Sequence, residues 1–156
     1  MTITLNPKSI FDEIFALSAL QAFDMPDVER PSLLTRDQIP GLRHLLRIAF
    51  ANLMIQFAES ISSCRFDDVT QKEPYNPDYP FNMTVELNGS VGENSALLIK
   101  ANMEHILALC TLSFVHECSN PEMARDYRRQ AAEAATLLGD EIDPDVPAGR
   151  LACWYY

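Results

Sequence analysis

Histidines, cysteines and paired carboxylates are the residues in this sequence whose chemistry would mark a catalytic or metal site. His105 and His116 lie eleven positions apart in one apolar stretch. In a helix they share a face but stand roughly 16 Å apart. Zinc holds its nitrogen ligands about 2 Å away, so this pair cannot grip one ion. Cys64, Cys110, Cys118 and Cys153 show no CxxC spacing, and Cys110 sits among apolar residues, where a thiol behaves as a small hydrophobe. Cys64 precedes Arg65 and is expected at a helix end, where the dipole works against a thiolate. A di-metal helical bundle needs Glu-x-x-His on facing helices, and no Glu precedes a His by three residues. Asp67-Asp68 reads as part of a solvated loop. GxSxG, GxxxxGK[ST], GxGxxG and HExxH do not occur in the sequence. The reading is therefore a non-enzyme with no cofactor, no metal and no catalytic residue.

Other residue types are suited to contact instead of catalysis. Trp154-Tyr155-Tyr156 puts three large amphipathic rings together, a residue class enriched at interface hot spots. They either fold back on their own domain or dock on a neighbour. Met83 and Val85 lie on an alternating segment that could offer a strand edge. Arg125, Arg128 and Arg129 are clustered cations on an acidic protein. They face either an acidic partner or, as intrahelical pairs, Glu122, Asp126 and Glu133. These eight residues are the candidate interface. Twenty-two acids against twelve Lys and Arg give a net charge of −10, a field that disfavours nucleic acid and anionic lipid.

Four helices must position these groups. The first runs from Ile10 to Phe23, after Ser9 as a cap. The second, opened by Thr35 or Asp37 with Pro40 in its first turn, is expected to reach Ser62, on a stripe from Leu42 through Leu53 and Phe57 to Ile61. Residues 64 to 80 read as a long acidic, Pro-rich surface loop. Phe81 to Leu87 then alternates strictly, as a half-buried strand does. Its partner is Arg65–Val69, Thr2–Leu5 or another subunit. Gly89 and Gly92 mark a turn, and Ser90 with Glu93 fits a capping box. The third helix covers 94 to 117, with Ile99, Met103, Ile106, Cys110 and Phe114 as a seam that Leu98 and Leu109 widen. Asn120-Pro121 starts the fourth, and Gly139 is the expected stop. The fold class is mainly α: a four-helix bundle-like domain over 1–138, with a long loop and a short strand or hairpin between its second and third helices. An acidic, aromatic-ended tail spans 139–156.

With 156 residues, 47% of them hydrophobic, the chain suits one cytosolic domain. The N-terminal residues do not fit a secretory leader, and no clean apolar span of about 20 residues stands out, so no membrane partner is expected.

The order of elements resembles a group of small helical, uncharacterised proteins encoded by prophages of gut bacteria. The resemblance runs over residues 10 to 138. It rests on Leu34-Thr35-Arg36-Asp37 opening the long helix, the Tyr75-Asn76-Pro77-Asp78-Tyr79-Pro80 loop, the Met83–Leu87 strand, the apolar helix 94–117, and Asn120-Pro121-Glu122-Met123-Ala124. The tail after Gly139 departs from that pattern. The resemblance implies no catalytic residues and a virion-assembly role, such as a head–tail connector or tail-completion subunit. Such a protein contacts further copies of itself or other assembly subunits, in the cytoplasm or in a phage-like particle. The competing expectation is a small cytosolic protein-binding or regulatory module that holds a peptide on a strand edge or helix groove.

Overall fold

The computed structural model describes residues 1–24, 33–68, 79–89 and 93–142. The chain opens with strand β1 (Thr2–Leu5), one of the segments the sequence offered as a partner for the later strand. Helix α1 (Pro7–Asp24) follows. Asn6 starts it by accepting the Lys8 N–H on Oδ1 (3.1 Å), with Pro7 in the first position, where its missing N–H is no loss. Thr35 donates its N–H to Gln38 Oε1 (2.9 Å) across a 3-10 turn at Arg36–Gln38, which leads into helix α2 (Ile39–Gln56). Helix α2 is shorter than its apolar stripe suggests. Phe57 closes it, and the chain turns at Ser60 into strand β2 (Ile61–Asp68), so the expected loop is extended structure up to Asp68. Residues 69–78, with most of the Tyr/Pro loop, lie outside the described residues.

Strand β3 (Phe81–Leu87) has the bounds its alternation predicts, and its partner is both of the strands within this chain that the sequence offered. The sheet is antiparallel in the order β1-β3-β2, with Ile3 opposite Val85 and Phe66 opposite Met83. A β-bulge lies between Ile61 and Ser63, and the Ser62 hydroxyl donates to the Glu86 carbonyl (3.1 Å). The extra residue shifts the side-chain phase, so Ile61 and Phe66 both pack against the core although their spacing is not that of a regular strand, while Cys64 stays exposed. Gly89, just past β3, has φ +90, a conformation glycine adopts without strain.

Helix α3 (Glu93–His116) is the hub, in contact with β1, α1, α2 and helix α4 (Pro121–Ile142). It is buried around most of its circumference: Met103, Ile106, Leu107, Ala108, Leu109 and Leu112 are sealed from solvent. Two seam residues do not follow the sequence reading. Phe114 is half-buried at the periphery of the core, and Leu98 is 51% exposed. Buried hydroxyls of Thr111 and Ser113 bond back to the carbonyls of Leu107 and Cys110, both at 2.7 Å. Asn120 caps α4 by accepting the Met123 N–H (3.2 Å). Gly139 does not stop α4, which continues through it to Ile142. The result is a mainly α chain with four helices among the described residues and one small sheet. Among the described residues one helix segment, Ser95–His116, is long and apolar enough to cross a membrane, and most of it is packed inside the protein.

Candidate functional site

The sequence-derived interface residues separate into three groups. Met83 and Val85 are fully buried. Strand alternation turns them beneath the helices, so neither side chain can meet a partner. Arg129 lies against Asp126 (2.6 Å) and Glu133 (2.9 Å) of its own helix, while Arg128 reaches across the α3–α4 joint to Glu117. Asp126, held by the Arg129 guanidinium, has its carboxyl pushed below the usual range. Arg125 is exposed. Trp154, Tyr155 and Tyr156 lie outside the described residues.

Titratable groups gather along α3. Glu104 is buried and accepts the Asn6 N–H at 2.6 Å, tying the β1–α1 junction to α3. Burial raises its carboxyl above the usual range, and Lys100 at 3.9 Å opposes that rise. His105 bonds Glu13 of α1, which raises its imidazole above the usual value. Farther along, Tyr127 donates its hydroxyl to Gln21 and stacks on His116, ring centres 5.9 Å apart. Burial pushes the phenol up to about 12 and lowers the His116 imidazole. Burial likewise drives the Cys110 thiol up to about 12, which makes it inert. His105 meets Glu13 of α1, and Tyr127 of α4 meets Gln21 of α1 and the His116 ring, so these groups work as polar stitching between α1, α3 and α4. Among the described residues no three metal-ligating side chains converge. Cys64 is exposed on β2, not at a helix end.

Two depressions on the surface are lined by described residues. The first, about 410 Å³, opens where α2 meets β3, with walls from Arg36, Asp37, Pro40, Arg43 and Pro80 and a floor from Phe81. Arg43 lies over the Phe81 ring (5.1 Å) and Arg47 over Phe66 (5.8 Å), while those two rings stack at 5.1 Å. Guanidiniums over aromatic faces are held in place by the ring quadrupole. No local pattern in the sequence sets Arg43 and Arg47 over two phenylalanines from different strands. The second depression, about 600 Å³, runs along the outer side of β1 and is bounded by Met1 to Thr4 with Leu97 and Lys100 of α3. Near it, Leu97 is 68% exposed. Compared with protein-family models, curated proteins and solved structures, the chain gives no match.

Proposed function

We propose that this chain is a non-enzymatic assembly protein, a head–tail connector or tail-completion subunit of a phage-like particle, that acts through contacts between subunits. The observation that supports this best is the open sheet. Its outer strands β1 and β2 each have one unpaired edge among the described residues, and β2 is exposed from Ser62 to Arg65. Unpaired strand edges are templates for another chain. The resemblance to prophage-encoded helical proteins supplies the kind of assembly, and the bundle-like packing of the helices around α3 supplies a rigid body to present the edges.

The test is sedimentation across a wide concentration range, together with the gene neighbourhood. Association that grows with concentration, in a locus holding portal, terminase or tail genes, is the expected result. A monomer at every concentration, in a locus without such genes, overturns the proposal. That outcome favours the binding-module reading, for which the Arg36–Arg43 depression is suited to an acidic peptide. Titration with a Glu-rich peptide should then show binding that weakens in Arg36→Ala.

A further inference from the structure

The outer edge of β1 has a definite hydrogen-bonding phase. Met1 and Leu87 exchange both backbone bonds, at 2.9 and 2.8 Å. In an antiparallel pair the N–H and C=O of one residue point the same way, and successive residues alternate. Ile3 and Leu5, opposite Val85 and Met83, therefore direct their backbone groups to β3. Thr2 and Thr4 direct theirs outward, on the side where the sheet of described strands ends. The next outward amide, that of Asn6, is already held, because it donates to Glu104 Oε1 at 2.6 Å. The open edge is thus confined to Thr2 and Thr4 and is centred on Ile3. Beyond it lies the depression of about 600 Å³, bounded by residues 1–4 with Ala96, Leu97 and Lys100.

Such an edge is its own complement. A twofold axis through Ile3 sets Thr2 of one copy opposite Thr4 of the other, so the outward N–H and C=O groups of both copies are satisfied together. The exposed threonine side chains then pair across the strands on the solvent face, a favourable cross-strand combination. The incoming strand lies about 4.8 Å from β1, inside the depression. There it covers Leu97, which is 68% exposed. Charge permits the approach. The chain carries −10 overall, but no Asp or Glu lines the depression, and its cation Lys100 has Glu104 at 3.9 Å. Carboxylates elsewhere are screened beyond about 8 Å at physiological salt. We infer that β1 pairs with β1 of a second copy across a twofold axis and joins the two three-stranded sheets into one. The inference rests on the assembly reading and narrows it: the subunit contact is isologous, uses β1 and leaves β2 open. With so short a ladder the interface is at the small end for specific contacts, so the dimer dissociates on dilution.

Sedimentation of the full chain should show a monomer–dimer equilibrium that stops at two copies. Thr4→Pro removes an outward N–H and no bond to β3, a change that edge strands tolerate. It should weaken dimerisation by about tenfold or more. Cys64→Pro does the same to the outer edge of β2, since Ser63 and Arg65 face Glu86 and Thr84 of β3, and should leave the dimer unchanged. Hydrogen exchange reads the contact residue by residue: the Thr2 and Thr4 amides should be protected only where dimer is present, and that of Ile3 throughout. Far-UV circular dichroism checks the fold, and Leu97→Asp, which should also weaken the dimer, serves if Thr4→Pro does not fold. Association weakened by Cys64→Pro and not by Thr4→Pro moves the contact to β2; it overturns the inference and leaves the assembly reading standing. Growth beyond two copies, or Thr2 and Thr4 amides that exchange freely in the dimer, overturns the twofold pairing in the same way. A monomer at every concentration also overturns it, and the gene neighbourhood then decides the assembly reading separately.

Discussion

Gly139→Ala separates two opposite expectations at one position. A glycine that ends a helix takes a left-handed conformation, where alanine is strained by about 1 kcal/mol. Here Gly139 lies inside α4, three residues before Ile142, and Gly89 is the glycine with positive φ among the described residues. A Cβ built at Gly139 meets Phe57 Cε1 at 3.7 Å, an ordinary contact that needs no rearrangement. Alanine is better than glycine in a helix interior by about 1 kcal/mol, and the last turn frays, so about 0.5–1 kcal/mol of stabilisation is expected. For a chain of this size that raises Tm by about 1–4 °C. Thermal melting followed by far-UV circular dichroism, with urea titration as a second measure, reads the change. A fall in Tm of similar size would mean that α4 ends at Gly139, and the reasoning fails.

Phe11 is fully buried and stacks on Tyr79 at 5.2 Å. Phe11→Ala should therefore lose about 3–5 kcal/mol by urea unfolding, whereas half-buried Phe114→Ala should lose about 1–2; equal losses would contradict the assigned helix faces. His105 has a raised pKa in the fold because of Glu13, so its stabilising contribution is complete below its unfolded value of about 6.5 and is lost as pH rises through the folded value. His105→Gln should accordingly destabilise more at about pH 5.5 than at about pH 8, and a penalty that grows with pH reverses the sign of this argument. Cys110, buried with its thiol pushed up to about 12, should resist a thiol reagent until denaturant is added, while exposed Cys64 and Cys118 react at once. Labelling of Cys110 in the native protein, mapped by mass spectrometry, would show that α3 opens on the reagent's timescale.

How legible each element was depends on its surroundings. β3 is covered on one face along its whole length, and its alternation gives both of its ends. α3 and the start of α4 were legible because a long apolar run and an Asn-Pro cap are local signals. β2 hid behind its bulge: Ile61 falls on the helical stripe of α2, and the shift at Ser62 breaks the period a strand would show. β1 has four residues, and the sequence offered Thr2–Leu5 as one candidate partner of β3, but only the pairing itself selects it. The interface set shows the same limit. Alternation identified Met83 and Val85 as one face of a strand, but only the helices above decide that this face is the inside. Arg129 was legible as an intrahelical partner, while the link from Arg128 to Glu117 depends on how α3 and α4 meet. The cluster of Arg43, Arg47, Phe66 and Phe81 unites α2 with both longer strands, and no local pattern records such a meeting.

The sheet order also sets a timetable for synthesis. Thr2 pairs with Glu86 and Leu5 with Met83, so β1 emerges long before the strand that holds it in place. At about 5–20 residues per second, ribosomes take roughly 4–16 s to make the intervening chain. By the end of that interval α1 and α2 have been made, but α3, the hub they bury against, has not. Contacts between distant parts of a chain slow folding, and here the central strand and the hub helix arrive in succession, β3 first and α3 next. The nascent chain is therefore most exposed to faulty association just before the stretch from Phe81 to His116 is complete, and a translational pause ahead of that stretch would prolong the hazard.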